Sequence, residues 1–306
     1  LLLAKLIFRE IKKAFCDVDY IDSSNLVQIM EDVYVEASAR FIFIIDEWDC
    51  IFREYKQDKE AQKQYLDFLR NLLKDKPYVE LAYMTGILPI KKYGTHSALN
   101  MFEEISMIDP GLLSEFMGFT ETEVQNLCIQ YNISYDEMKQ WYDGYHMTNG
   151  ISTFSPRSVV SSIVRKQFGN YWTSTETYEA LQVYIDMNCD GLKDNIVQLL
   201  AEENVPVQTT SFQNDMTTFK SKDDVLTLLI HLGYLGYNSS SHTCYIPNKE
   251  VVDSFVNSIR SSDWHETTKA LLNSRELLQA TWRKDEKAVA KYIEEAHLNT
   301  SILTYN

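Results

Sequence analysis

A run of five apolar residues, Phe41-Ile42-Phe43-Ile44-Ile45, breaks off into Asp46-Glu47-Trp48-Asp49, and this junction constrains the chain more than any other stretch of it. Helical spacing flanks the run. Before it, Leu3, Leu6, Ile7 and Ile11 recur at helical intervals across residues 1–15, and Leu26, Ile29, Met30 and Val33 do so across 25–39. After it, residues 59–74 form a charged amphipathic pattern carrying Tyr65, Leu66, Leu69, Leu72 and Leu73, which Pro77 ends. A short apolar run rich in aromatic and β-branched side chains, set between long helices, predicts a central strand buried on both faces. Val79-Glu80-Leu81-Ala82-Tyr83-Met84, ending in Thr85-Gly86, predicts a second strand. Strand, helix, strand is a βαβ unit. The two strands should therefore run parallel, with Asp46 and Thr85 emerging at the same edge.

Beyond residue 118 the strands nearly vanish. Thr120-Glu121-Thr122-Glu123 has the spacing of a capping box, in which Thr and Glu satisfy orphan amides reciprocally. Residues 134–142 and 156–166 predict further helices, and 222–231 an apolar one. Tyr234–Tyr237 and Thr243–Ile246, joined through Asn238-Ser239-Ser240-Ser241, predict a small hairpin. Helix, helix, hairpin is the outline of a winged-helix module. From Asn248 to His297 the pattern is helical again, with Trp264 and Trp282 on apolar faces. The organisation is thus α/β over 1–118, helical with a hairpin over 119–247, and helical over 248–306.

Charge and cysteine usage remove several classes. Lys+Arg 29 against Asp+Glu 44 gives a formal net charge of −15, and acid exceeds base in each of the three segments. No segment has the basic surplus that non-specific nucleic-acid binding requires, so direct nucleic-acid contact by this chain is not indicated. No apolar run approaches the roughly 18 residues of a membrane span. Leu1 to Phe8 is too short for one, and no A-x-A-like cleavage site follows it. Cys16, Cys50, Cys128, Cys189 and Cys244 are scattered, with no C-x-x-C, and His242-x-Cys244 is the only close Cys/His pair. Neither a zinc site nor a disulfide framework is indicated, and a cytoplasmic setting is expected. The sequence starts and stops in helical patterns, which reads as an interior piece of a longer protein.

The chemistry gathers at the first strand's end. Ligands of open α/β sheets bind beyond the carboxyl ends of the strands. P-loop ATPases present two adjacent carboxylates there, at the end of a hydrophobic strand. Asp46, in the strand line, would hold Mg²⁺ directly or through water. Glu47 would turn toward the γ-phosphate and polarise the attacking water. Thr85, at the tip of the neighbouring strand, stands where such enzymes place a sensor. The bare pattern has a second reading, in which acids at a strand end cap the following helix, and Asp49 is read as such a cap rather than as a metal ligand. Arg157, at a helix start, could reach a γ-phosphate as a lid arginine. Lys91, Lys92 and His96 lie on a polar loop after the second strand, where contact with phosphate competes with simple solvation. Trp141, Tyr142 and Tyr145 read as packing around the Asp143-Gly144 turn rather than as a base-stacking platform.

Four motifs in order resemble the AAA-ATPase-like family of bacterial P-loop ATPases. They are Ile44-Ile45-Asp46-Glu47-Trp48-Asp49, Met84-Thr85-Gly86-Ile87-Leu88-Pro89-Ile90, Gly118-Phe119-Thr120 and Trp141-Tyr142-Asp143-Gly144-Tyr145. Ser155-Pro156-Arg157-Ser158 is similar to the family's Asn-Pro-x-Ser stretch, with Ser in place of Asn. The resemblance covers almost the whole chain. It implies the remnant of an ASCE-type P-loop parallel sheet, followed by a helical and winged-helix lid and a helical C-terminal segment. It implies ATP and Mg²⁺ as cofactors, Glu47 and Thr85 as catalytic residues, Asp46 on the metal and Arg157 on the nucleotide. Such proteins usually carry a PD-(D/E)XK nuclease-like domain at the C-terminus, so the intact protein is expected to be a nucleotide-driven switch for that domain in cis, and a candidate homo-oligomer.

Two departures from the family are plain. None of the ten glycines is followed by lysine, so the phosphate-binding G-x-x-x-x-G-K-[ST] is absent. Without that cradle of amides and its lysine, this chain alone should bind ATP poorly and turn none over. The nuclease half is missing as well, because Glu137-x-Lys139 sits in a helical pattern and Glu286-Lys287 lacks the spacing. A non-catalytic scaffold that keeps the fold is the other function class left open.

Overall fold

A computed structural model describes the chain apart from residues 1, 90–91, 94–95, 98, 148–149, 173–177, 188, 213–218, 220, 261–273, 275–276, 279 and 299–306. The chain divides into two compact units, Leu1–Glu104 with Phe212–Phe219, and Ile105–Ser211 with Lys220–Asn306.

The first unit runs α1 (Leu2–Ala14), α2 (Leu26–Ala37), β1 (Phe41–Ile45), α3 (Cys50–Glu54), α4 (Lys59–Leu73) and β2 (Val79–Met84), then the short β3 (Lys92–Tyr93) and β4 (His96–Ser97). Local chemistry sets the helix ends. The Asn25 side chain accepts from the amides of Val27 and Gln28 to open α2, and Ser38 closes it in a left-handed conformation. Asp58 opens α4 by accepting from the Ala61 amide. Between these helices β1 and β2 pair in parallel, with Ile45 opposite Met84, as the βαβ pattern requires. Phe41, Phe43 and Ile45 turn inward onto a core of Ile11, Leu26, Ile29, Met30, Val33, Leu72 and Leu73.

The other sheet face differs from expectation. Ile42 is 63% exposed and Ile44 76%, and Leu81 and Tyr83 of β2 are exposed beside them. The core residues of α1, α2 and α4 gather on the inward side only, so β1 is buried on one face rather than two. Among the described residues β1 hydrogen-bonds to β2 alone, so it is not a central strand there either.

The second unit opens with β5 (Phe119–Thr120), α5 (Glu121–Tyr131), α6 (Tyr135–Tyr142), β6 (Tyr145–His146), β7 (Ser152–Phe154) and α7 (Pro156–Arg165). It continues through α8 (Tyr178–Asp186), α9 (Leu192–Leu200), β8 (Val205–Pro206) and α10 (Lys222–His231). It ends with β9 (Gly236–Asn238), β10 (Thr243–Tyr245), α11 (Lys249–Arg260) and α12 (Glu286–Leu298). The capping box forms as the spacing predicts: the Glu123 amide donates to the Thr120 hydroxyl, and the Thr120 amide donates to the Glu123 carboxylate. Val124, Cys128, Met138, Tyr142, Phe154, Val159 and Ile163 bring α5, α6, α7 and β7 around one core.

Strands do not vanish here. Short strands form two antiparallel sheets of three, ordered β5-β7-β6 and β8-β10-β9. The second follows α10 with the β9–β10 hairpin, as the sequence predicts, and sets β8 on the far side of β10. Helix α10 buries every residue from Asp224 to Ile230, so it is a core helix with no open face along that stretch. Trp282 is exposed rather than packed, and Trp264 lies outside the described residues. No described helix is long and apolar enough to cross a membrane.

Burial lowers the pKa of His231, at the end of α10, from 6.5 to about 4. The unfolded chain takes up that proton near pH 6.5 while the folded chain stays neutral until much lower pH. Stability carried by the neutral ring is therefore complete above the unfolded pKa and is lost as pH falls through the window, by roughly 2 kcal/mol between pH 6.5 and 5. Thermal melts of the chain and of His231→Gln across that range should show the variant with the flatter profile. Identical slopes would remove the assignment.

Candidate functional site

The pairing of β1 and β2 continues past the strand ends. The Thr85 amide donates to Ile45 O at 2.9 Å, and the Trp48 amide donates to Thr85 O at 2.9 Å. This zipper brings the tips of both strands together. The Thr85 hydroxyl donates to Asp46 Oδ1 at 2.5 Å, and the Glu47 amide donates to the same oxygen at 2.9 Å. Glu47 adopts a left-handed backbone at φ 51°, a conformation that costs a side-chain-bearing residue about 1 kcal/mol. That single residue turns the chain from β1 into α3, with the Cys50 amide donating to Glu47 O at 3.0 Å.

One guanidinium organises the next layer. Arg53 Nη2 donates to Glu47 Oε2 at 3.1 Å, and Arg53 Nε donates to Asp49 Oδ2 at 3.1 Å. Burial works against the Arg53 charge, but Asp49 and Glu47 outweigh it and hold its pKa above the ordinary value.

Asp49 corrects its sequence reading. It occupies the N-cap position of α3, yet its side chain makes no capping bond. The fully buried carboxylate instead accepts from the amides of Ile87 at 3.2 Å and Leu88 at 2.9 Å, beyond β2. Its other oxygen, Oδ1, has no partner. Trp48 is buried beside it, 5.5 Å from the Phe52 ring, and both residues press on Gly86. A Cβ at Gly86 would lie 2.6 Å from Trp48 Cδ1 and 2.7 Å from Asp49 Oδ1, so only glycine admits this approach. The Asp46–Asp49 and Thr85–Leu88 motifs therefore lock into one another at the carboxyl edge of the sheet.

The structure gathers Asp46, Glu47 and Thr85 at one strand edge of the first unit. Arg157 is exposed on the first turn of α7, in the second unit. Lys92 and His96 belong to the β3–β4 pair, with Tyr93 opposite His96, while Lys91 lies outside the described residues. The residues of the aromatic motif make internal contacts. Tyr142 donates to Gly169 O at 2.9 Å, Tyr145 donates to Gly233 O at 2.7 Å, and Lys249 Nζ stands 4.1 Å from the Trp141 ring centroid.

Two ionic residues were missed. Glu250 is buried and accepts from the Ser158 hydroxyl at 2.7 Å and from the amides of Tyr171 and Trp172, which joins α11 to α7 and the segment after it. Arg53, four residues after Asp49, carries a helical ion-pair spacing in the sequence itself.

Among the described residues no group of three or more His, Cys, Asp or Glu side chains is arranged to hold a metal. One carboxylate and one hydroxyl fit a hydrated Mg²⁺, which keeps several of its waters and takes one or two protein carboxylates. The triphosphate is a different matter: Gly86, at the edge itself, is filled by Trp48 and Asp49, and no Gly-Lys cradle exists in the sequence. Comparison of the chain with protein-family models, with curated proteins and with solved structures gives no match.

Proposed function

We propose that the Asp46–Thr85 edge is the metal-and-water half of an ATP-hydrolysing site, in a nucleotide-driven switch of the AAA-like ATPase type. The observation that supports this most is the contact between the Thr85 hydroxyl and the Asp46 carboxylate at the shared carboxyl end of two parallel strands. In this reading Asp46 would hold Mg²⁺ directly or through water, Glu47 would orient and polarise the attacking water, and Thr85 would contact that water, the metal supplying charge to offset the phosphates. The phosphate cradle would have to come from residues outside this sequence. The same reading places the protein in the cytoplasm, as a candidate homo-oligomer, with a nuclease-like domain in cis as the element it controls.

The chain of this sequence is expected to turn over no ATP, yet to bind Mn²⁺ weakly at the edge. Adding millimolar Mn²⁺ should broaden the amide resonances of Asp46, Glu47 and Thr85 first, and Asp46→Asn should abolish that selectivity. Broadening spread evenly over the surface carboxylates would sink the proposal, as would ATP turnover that survives Glu47→Gln. The Glu47–Arg53 pair favours a second reading, a scaffold that keeps the fold with its second carboxylate paired to Arg53. The same titration separates the two, because a pure scaffold needs no selective metal edge.

A further inference from the structure

We propose that Arg53 is a positioning residue that parks Glu47 away from the Asp46–Thr85 edge and lets it go without leaving its own seat. The proposal rests on the reading of that edge given above and adds the regulation of its second carboxylate. Its basis is the asymmetry of the two bonds made by one guanidinium. Toward the interior, Nε meets Asp49, whose side chain is fully buried and whose Oδ2 is also fixed by the amides of Ile87 and Leu88. Breaking that contact would leave a buried carboxylate short of its cation, so Arg53 stays in place. Toward solvent, Nη2 meets Glu47, whose side chain is 67% exposed. An ion pair in water is weak and exchanges readily.

Glu47 is also poised to move. Its backbone is already turned to φ 51°, and its amide is fixed to Asp46 Oδ1, so its Cα is anchored one residue from the edge. Rotation about side-chain bonds alone can then carry the carboxylate from Arg53 toward the edge. The planar fork of arginine suits a residue that must hold one carboxylate with Nε while offering Nη2 to another. Lysine, a single point of charge, cannot do both in that geometry.

The test measures Mn²⁺ at the edge rather than turnover, using the whole chain and paramagnetic broadening of the Asp46 and Thr85 amides. Arg53→Gln should release Glu47 and tighten Mn²⁺ by about fivefold, the scale of one exposed charge pair. Loss of a nearby positive charge would tighten Mn²⁺ by itself, so the comparison is made again in Glu47→Gln. There the tightening caused by Arg53→Gln should fall to the small remainder due to charge. Arg53→Lys retains the cation beside Asp49 without the fork, and should release Glu47 while preserving the fold if the glutamine variant melts early. Equal tightening in both backgrounds overturns the parking role and leaves the edge standing. Absence of selective Mn²⁺ broadening in every variant removes the edge and the parking role with it.

Discussion

Glu47→Gln is expected to cut ATP turnover by about 10²–10⁴-fold when this chain acts together with a phosphate-binding loop, and to leave nucleotide affinity close to unchanged. The glutamine is nearly isosteric and its carbonyl can still accept from Arg53, so the turn into α3 keeps its bond at Nη2. The lost pair is largely in water, and its removal should cost stability no more than about 1 kcal/mol. What the amide cannot do is take a proton from water. The loss should therefore fall on kcat rather than on KM, the signature of an interaction made only in the transition state. Asp46→Asn provides the contrast, because if Asp46 holds Mg²⁺ as proposed, its loss would raise the Mg²⁺ requirement as well. Normal turnover in Glu47→Gln would show that the base lies elsewhere and that the strand-end acids serve the turn alone.

The edge was legible because all its parts are local. A five-residue apolar run, an acid pair at its end and a helix-separated second strand are short-range signals, and the hydrogen bond from Thr85 to Asp46 follows from parallel pairing once the strands exist. The exposure of β1 was not legible. Isoleucine at 42 and 44 reads as buried on hydrophobicity alone, and nothing in the run says that a layer covers only the Phe41–Phe43–Ile45 side. Asp49 failed for a related reason. An aspartate just before a helix looks like a cap, but its partners lie 38 and 39 residues further on, and only the closed sheet reveals them. The short strands of the second unit escaped because two or three residues show no period. Phe119 pairs with Phe154, and Cys244 with Val205, across separations that no local pattern spans. Glu250 escaped in the same way: it reads as an ordinary first-turn acid of α11 until Ser158, Tyr171 and Trp172 are brought to it.

Gly144→Ala should be among the most damaging single substitutions in the second unit, at about 4 kcal/mol and roughly 10 °C of melting temperature. Two independent effects add. The backbone there sits at φ 115°, outside the region L side chains adopt, and a Cβ would lie 2.0 Å from the carbonyl oxygen of Pro247. A backbone oxygen cannot swing aside as a flexible side chain would. The residues around the glycine make relaxation harder still, because Tyr245 donates to Gly144 O at 3.0 Å and the Ser152 hydroxyl donates to Asp143 at 2.5 Å. Gly111 supplies the control. It has φ 47° with nothing near its missing Cβ, so Gly111→Ala should cost only the backbone term of about 1–2 kcal/mol. The comparison also decides what the Trp141–Tyr145 motif is for. If it is architecture, Gly144→Ala lowers the melting temperature of the second unit and leaves selective Mn²⁺ binding at Asp46 and Thr85 intact, since those residues belong to the first unit. A Gly144→Ala protein that melts with Gly111→Ala would show that the turn can yield, and the motif's residues would then need another reason for their arrangement.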